Sequence, residues 1–202
     1  ASPEVTKFPA RLTSSTHCCD PFTAISRAEA RLTSQLTCAL SVFESIHIDT
    51  HAPRSFPRVG MMICNDRRWP ESYRVMGLKG VELILCGYNT PIHYVPDPSQ
   101  DILQGFHNAL VMQSGAYQNG TWVVGVAKGG TEEGIPSLAD SMIVAPSGKV
   151  VARAGGDGDE LVVHRCDLDA GQSYKRSTFN FAVHRQPDQY RMIVERKGAI
   201  DP

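Results

Sequence analysis

The segment at residues 60–71, GMMICNDRRWPE, carries the residue types and the spacing with the clearest chemistry. An apolar run ends at Cys64, two arginines follow at Arg67 and Arg68, and Pro70 suits the first turn of a helix. A cysteine at such a strand-to-helix corner lies beside unpaired N–H groups and the positive end of a helix dipole, which favour the nucleophilic thiolate. The two guanidinium groups could hold a carboxylate. The segment therefore predicts a nucleophile next to an anion-recognition site.

Two ordinary interpretations of the same residues stay open on the pattern alone. Most cysteines at the end of an apolar strand are small buried hydrophobic residues. An adjacent pair of arginines more often lies on the solvated start of a helix. Spacing by itself does not decide between these interpretations and a catalytic cysteine.

Further motifs follow this segment along the chain in a fixed order. They are 63–71 (ICNDRRWPE), 74–80 (RVMGLKG), 87–91 (GYNTP), 117–120 (YQNG), 132–134 (EEG), 143–146 (IVAP), 167–169 (DLD), 179–181 (FNF) and 182–187 (AVHRQP). The series resembles the N-carbamoyl-D-amino-acid amidohydrolases, or D-carbamoylases, of the nitrilase (carbon–nitrogen hydrolase) superfamily. The resemblance covers residues 58–194, and several long motifs in one order are more specific than a single short motif.

The resemblance implies a reaction and a set of site residues. That family hydrolyses an N-carbamoyl-D-amino acid to the D-amino acid, ammonia and carbon dioxide, through a cysteine carbamoyl-thioester and with a glutamate base and a lysine. By position, Cys64 is the nucleophile and the backbone N–H of Asn65 is the oxyanion donor. The residues that would contact the substrate are Arg67, Arg68, Asn89 and Thr90. From the residues alone, Asn89 and Thr90 before a proline are equally typical of a plain turn.

The chain departs from the family in its catalytic set. The family's glutamate and lysine lie well upstream of the cysteine, and the 63 residues before Cys64 contain neither motif. We favour a truncated or frame-shifted product that joins a C-terminal half to an unrelated leader, over a divergent protein that rebuilt its base elsewhere. Three functions follow: hydrolysis of N-carbamoyl-D-amino acids, an inactive remnant or assembly subunit, or another nitrilase-branch amidase or ureidopropionase.

The composition excludes several other classes of function. The 202 residues are 42% hydrophobic, which is enough for one domain with a core. A formal net charge of −1 without a basic tract argues against nucleic-acid binding. No stretch approaches ~20 apolar residues, so we expect no membrane span, and we expect no signal peptide. The expected partners are a small-molecule N-carbamoyl amino acid and, from the resemblance, other copies of the chain.

The six cysteines form neither a C-x-x-C pair nor a dense disulfide framework, which is typical of reduced thiols in the cytoplasm. Cys86 and Cys166 are predicted to be core residues. The run at 17–20, HCCD, lacks a second ligand pair at finger-like spacing, so we expect no zinc site there. The family that the chain resembles needs no metal and no organic cofactor.

Two regions of the chain differ in character. Residues 1–57 form a leader that is rich in serine, threonine and alanine and lacks the family's motifs, whereas residues 58–202 form the C-terminal part of a hydrolase domain. Helical spacing predicts a helix over residues 24–42 in the leader.

After the leader, strands and helices alternate. Strands are predicted at 59–63, 81–85, 121–127, 141–145, 150–154 and 160–166; helices at 70–77, at 97–118 and from 169; and turns at 146–149 and 155–159. The apolar face of the long helix includes positions 102, 103, 106, 109, 110, 113 and 117. The alternation indicates an α/β fold. The resemblance implies part of a nitrilase-like α-β-β-α sandwich that dimerises through helices.

Overall fold

The computed structural model describes residues 57–200, and the centre of this part is a five-stranded sheet. Its strands and those of a separate hairpin are β1 (Val59–Ile63), β2 (Leu83–Tyr88), β3 (Trp122–Ala127), β4 (Thr131–Glu132), β5 (Ile135–Pro136), β6 (Met142–Val144) and β7 (Val150–Arg153). The sheet has the order β1-β2-β3-β6-β7, and β4 pairs with β5 in the hairpin. Strands β1, β2 and β3 are parallel, whereas β6 and β7 extend the sheet in antiparallel fashion. The predicted α/β class is confirmed.

Strand β2 is buried along its whole length, as expected for a parallel strand that is covered on both faces. Because side chains alternate across a strand, Leu83 and Leu85 pack into one apolar cluster, while Ile84 and Cys86 pack into the other. Helical residues complete the cluster around Ile84, and residues between 162 and 170 cover the opposite cluster. The sheet therefore lies between a helical layer and an irregular segment.

Two helices form the helical layer and connect the parallel strands. Helix α1 (Pro70–Leu78) starts at a proline, as predicted, and helix α2 (Gln104–Asn119) ends at Gly120, whose φ of 55° is left-handed. The carboxylate of Asp97 accepts a hydrogen bond from the N–H of Ser99 and caps a 3₁₀-helical segment that leads into α2. The prediction of a helix from residue 97 is correct in position, but its first part is 3₁₀-helical.

Short helical segments complete the described chain. They are a 3₁₀ turn (Leu168–Gly171), α3 (Gln172–Arg176), α4 (Phe181–His184), a second 3₁₀ turn (Pro187–Tyr190) and α5 (Arg191–Glu195). Lys175 donates a hydrogen bond to the carbonyl of Val81 at 3.2 Å, and Trp122 Nε1 donates to the carbonyl of Asp167 at 2.7 Å. Both contacts lie at the amino-terminal ends of β2 and β3, so this segment packs at the edge of the sheet opposite Cys64.

The positions that form the predicted apolar face of the long helix include several exposed side chains. Ile102, in the 3₁₀-helical segment that leads into α2, is 89% exposed; Phe106 on α2 is 62% exposed, and Leu110 is exposed as well. The buried residues of α2 are Gln104, Asn108, Met112, Gly115, Ala116 and Asn119. The helix therefore turns a largely polar or small face toward the sheet and an apolar stripe outward.

The prediction of a strand at residues 160–166 is wrong. This segment forms no strand, although its side chains alternate between half-buried and exposed. Val162 and Cys166 pack onto the sheet face around Leu83, while Val163 is 74% exposed. Because the segment lies over the face of the sheet and not beside an edge, it has no neighbouring strand for a hydrogen-bonded ladder. The turn predicted at 155–159 consequently does not join two strands.

The remaining predictions have different outcomes. The strands expected at 59–63, 121–127, 141–145 and 150–154 are confirmed, and the strand expected at 81–85 lies further along, in β2. The turn at 146–149 is confirmed between β6 and β7. The helix at 24–42 and the HCCD run lie outside the described residues, and the boundary at residue 57 stays a prediction. Every helix within residues 57–200 is too short or too polar to cross a membrane.

Helices α1 and α2 are in close contact at Gly115, so a larger side chain at this position should lower the stability of the fold. A Cβ added at Gly115 would lie 2.5 Å from the ring of the buried Tyr73, whereas one added at Gly105 of the same helix would meet nothing within 4 Å. We expect Gly115→Ala to lower the free energy of unfolding by about 1–3 kcal/mol through overpacking. The control Gly105→Ala should raise it by about 0.5–1 kcal/mol through helix propensity. Urea denaturation measures both, and equal effects would contradict the packing described.

Candidate active site around Cys64

Cys64 lies at the corner between β1 and a 3₁₀-helical turn, Cys64–Arg68, that leads into α1. The predicted strand-to-helix corner is therefore confirmed. The backbone of Cys64 has a φ of 47°, in the left-handed region that residues with a Cβ rarely adopt. This conformation costs about 1–2 kcal/mol. Such strain persists only where neighbouring contacts hold it, and it is often found at functional sites.

The thiol of Cys64 is half-buried and contacts the end of the neighbouring strand. Its Sγ donates a weak hydrogen bond, at 3.8 Å, to the carbonyl of Asn89, which directly follows β2. Lys128 holds the equivalent position after β3. Because β1, β2 and β3 are parallel, their carboxyl ends meet at one edge of the sheet. Ligands of open α/β sheets bind at this edge, so the cysteine is well placed for a reaction.

Asn65 and Asp66 continue the turn after the cysteine. The carboxylate of Asp66 accepts a hydrogen bond at 3.1 Å from the N–H of Ile63, which fixes the turn against the end of β1. Asn65 is exposed and holds the second position of the turn, where helical N–H groups have no partner within the helix. Its role as the oxyanion donor stays a prediction.

Arg67 is buried, with 2% of its surface exposed, and each nitrogen of its guanidinium donates a hydrogen bond. Nη1 donates to the carbonyl of Cys64 at 2.6 Å, Nη2 to Thr90 Oγ1 at 2.8 Å and Nε to Asn108 Oδ1 at 3.0 Å. The guanidinium also lies 4.0 Å from the centre of the Tyr88 ring, a cation–π contact. Arg67 and Thr90 thus bind one another beside the cysteine, and their contact with a substrate stays a prediction.

Arg68 is exposed and lines a cleft of about 240 Å³ between the turn and α2. The other lining residues are Arg67, Tyr94, Gln100, Gln104, His107, Asn108, Leu110 and Val111. None of them is acidic, so the two guanidinium groups give the cleft a positive potential that suits a small anion. Cys64 does not line the cleft. Arg67 connects Cys64 to the cleft, because it donates to the Cys64 carbonyl and also lines the cleft.

Asn89 links the cysteine to a charged pair. Its Nδ2 donates to Glu132 Oε2 at 3.5 Å, and the same carboxylate oxygen accepts a hydrogen bond from Lys128 Nζ at 2.6 Å. Ser137 Oγ donates to Asn89 Oδ1 at 3.5 Å. The lysine and the glutamate lie after the cysteine in the chain, so neither matches the family's upstream pair.

Sequence reasoning also missed a buried polar cluster behind Arg67. Asn108 Nδ2 donates to Asp140 Oδ2 at 3.0 Å and to Tyr88 Oη at 3.1 Å, and Tyr88 Oη donates to the carbonyl of Asp140 at 2.5 Å. The carboxylate of Asp140 accepts two hydrogen bonds from Arg153, at 2.6 and 3.0 Å. Burial raises the pKa of Tyr88, so its hydroxyl remains a donor. A polar residue on the inner face of α2 was the available signal for this cluster.

The other two described cysteines lack the features of a nucleophile. Cys86 is 1% exposed, and burial raises its pKa to about 12 although Arg67 opposes the shift. Burial raises the pKa of the half-buried Cys166 to about 11. Both thiols are therefore protonated at neutral pH. The prediction that they are core residues is confirmed for Cys86, whereas Cys166 is partly buried and packs against the core from one side.

No group of three metal-ligating side chains occurs within residues 57–200.

The site around Cys64 contains a strained cysteine, hydrogen-bonded amides and guanidinium groups. Such a set is suited to nucleophilic attack on a carbonyl and to stabilisation of negative charge.

Comparison with known proteins defines the class. The profile of the family described as carbon-nitrogen hydrolase matches residues 15–176, and the chain belongs to this family. An N-carbamoylputrescine amidase from Arabidopsis thaliana is 32% identical over 153 residues, which is 72% of this chain and 50% of the relative. A nitrilase from Pyrococcus abyssi is 30% identical over 135 residues, 67% of this chain and 47% of the relative.

A solved structure shares the fold. The carbon-nitrogen hydrolase from Helicobacter pylori G27 superposes with a TM-score of 0.60 at 21% identity, over 75% of this chain and 60% of that chain. The curated relatives are matched over about half of their length, 50% and 47% for the two above. The family match begins at residue 15, inside the region that we treat as a leader, and thus includes residues before the first described strand.

Proposed function

We propose that this chain supplies the cysteine of an amidohydrolase that cleaves N-carbamoyl-D-amino acids to D-amino acids, ammonia and carbon dioxide. The observation that carries the proposal is the left-handed Cys64 at the carboxyl end of a parallel strand, with Arg67 bonded to its carbonyl. The thiolate attacks the ureido carbonyl, and the D-amino acid leaves as the amine after it takes up a proton. Water then hydrolyses the carbamoyl-thioester, which restores the thiol and gives ammonia and carbon dioxide. The backbone N–H of Asn65 is the proposed donor to the oxyanion.

The ureido part of the substrate is supported by the relatives. The Arabidopsis protein is an N-carbamoylputrescine amidase, and its similarity covers the segment that holds Cys64, Arg67 and Asn89. We therefore propose that the substrate carries a carbamoyl group on an amine nitrogen at the bond that is cleaved. The family's glutamate and lysine lie upstream of the cysteine. The complete hydrolytic reaction, which needs the whole domain, is therefore part of this proposal.

The carboxylate part of the substrate is supported by charge. Arg67 and Arg68 are adjacent, and both line the cleft without an acidic neighbour in its lining. Because the donors of Arg67 are bound to protein acceptors, we assign the substrate carboxylate chiefly to the exposed guanidinium of Arg68. Asn89 and Thr90 are proposed to line the pocket between that carboxylate and the thiol.

The direct test of the function is ammonia release from N-carbamoyl-D-phenylalanine by the purified chain. We expect release that Cys64→Ala abolishes, because the thioester can then no longer form. Cys166→Ala is the matched control and should leave the rate unchanged. Absence of release by a chain whose circular dichroism shows a folded state would contradict the proposal for this chain and favour an inactive remnant.

Replacement of Arg68 tests the choice of substrate. We expect Arg68→Ala to raise KM for N-carbamoyl-D-phenylalanine about tenfold and to leave KM for a neutral ureide nearly unchanged, since a carboxylate loses its charged donor. Arg176→Ala, an exposed arginine in α3, is the control. Equal changes for both substrates would exclude the carboxylate role. Faster cleavage of N-carbamoylputrescine would instead favour a cationic ureide, the alternative that the Arabidopsis relative suggests.

We also propose that the chain self-associates through an outward stripe formed by Phe106 and Leu110 on α2 and by Ile102 in the 3₁₀-helical segment before it. Leu103, next to Ile102 in the chain, is exposed as well. Contiguous exposed apolar surface of this kind marks an interface, and a second copy presents an identical stripe.

Light scattering after gel filtration tests this association. We expect a dimer or larger species for the chain and a monomer for Phe106→Glu, because a buried carboxylate without a partner opposes the contact. Val194→Glu, which changes a residue that is 85% exposed outside α2, should leave the mass unchanged. A monomeric parent chain would refute the proposal.

A further inference from the structure

We propose that Asn108 is a positioning residue, whose amide holds Arg67 against the carbonyl of Cys64 and thereby keeps the cysteine in its left-handed conformation. The role of this cysteine as nucleophile rests on the proposed function. The position of the guanidinium does not, because it can be measured without any hydrolysis.

The conformation of Cys64 needs an external hold. A left-handed backbone at a residue with a Cβ is unfavourable by itself and persists when surrounding contacts fix it. The shortest such contact is the hydrogen bond at 2.6 Å from Arg67 Nη1 to the cysteine's own carbonyl. Because this bond involves a charged donor, it is stronger than a bond between neutral groups. The turn therefore depends on where the Arg67 guanidinium is held.

The acceptors of Arg67 are neutral. They are a carbonyl, the hydroxyl of Thr90 and the amide oxygen of Asn108, and the ring of Tyr88 lies against the guanidinium plane. A buried cation is costly unless each donor is bonded. Among these acceptors, Asn108 binds Nε, the nitrogen next to the aliphatic stem, and so fixes the direction from which the guanidinium enters.

The far end of the Asn108 amide is fixed in turn. Its Nδ2 lies within hydrogen-bond distance of Asp140 Oδ2, the Asp140 carbonyl and Tyr88 Oη. A flipped amide would point donors at Arg67 and an oxygen at the carboxylate, so only one orientation satisfies both ends. Asp140 is 7% exposed and is held by Arg153 of β7. The chain of bonds thus extends from the edge strand β7 to the cysteine turn.

The hydrogen bond to Arg67 accounts for an asparagine at this buried position. Asn108 is 3% exposed on the inner face of α2, one helical turn before the apolar Met112. An apolar residue would avoid the desolvation of an amide there. Buried polar clusters that are fully bonded define one arrangement of the groups they contact. At this place the group that is defined is the guanidinium beside Cys64.

The experiment compares Asn108→Ala with Asn119→Ala. Asn119 is the matched control because it lies on the same helix, is 2% exposed and, among residues 57–200, donates to the carbonyl of Gly115 within its own helix. The first readout is hydrogen exchange of the Arg67 Nε–H in ¹⁵N spectra, assigned with Arg67→Lys. The second is the rate of Cys64 alkylation by iodoacetamide, with Cys166 of the same chain as reference.

We expect Asn108→Ala to speed exchange of the Arg67 Nε–H about tenfold or more, in line with loss of a hydrogen bond to a charged group. The rate of Cys64 alkylation should change at least threefold relative to Cys166, since the turn that positions the Cys64 thiol against the Asn89 carbonyl is no longer held. Asn119→Ala should change neither quantity beyond its effect on global stability.

Unchanged exchange and alkylation in Asn108→Ala would overturn the proposal, as would equal changes in both alanine variants. If Asn108→Ala does not fold, Asn108→Ser, whose hydroxyl is too short to reach Arg67, takes its place with the same expected result. If Asn108→Ala shows these changes and the parent chain does not hydrolyse the substrate, the positioning role is supported and only the proposed function is contradicted.

Discussion

The site depends on one interaction, the burial of the Arg67 guanidinium among neutral acceptors. Removing a cation from water costs several kcal/mol, and this cost is offset only because each nitrogen finds a partner and the ring of Tyr88 covers one face. The partners come from three separate parts of the chain: the cysteine turn, the end of β2 and the second turn of α2. Arg67 therefore determines how these elements lie relative to one another as well as how the cysteine backbone is held.

The two adjacent arginines show how a motif can divide its tasks. The sequence presents Arg67 and Arg68 as an equivalent pair that holds a carboxylate. In the structure the first side chain is buried and the second is exposed in the cleft. The difference follows from the 3₁₀-helical turn, which directs consecutive side chains to different sides. An arginine that stabilises the protein and an arginine that is available to a ligand can thus be neighbours in the sequence.

Much of the fold could be predicted from the sequence, because apolar runs between glycines and prolines define β1, β2 and β3 and the cap residues define α1 and α2. The errors have physical causes. Residues 160–166 alternate like a strand, but alternation reports one buried face and not the presence of a pairing neighbour. The buried face of α2 could not be predicted from hydropathy, because it is built largely from polar or small residues such as Asn108 and Gly115. The contacts of Arg67 join residues far apart in the chain, so no local pattern contains them.

Strand β1, which leads directly into the cysteine, is also the border of the described sheet. Within residues 57–200 it pairs with β2 alone, and its other side presents backbone donors and acceptors. A strand that is added on that side, in parallel, would bring its own last residues next to Cys64, as β2 brings Asn89 from the other side. The side of β1 that no strand of residues 57–200 covers is therefore a place from which further groups can reach the thiol.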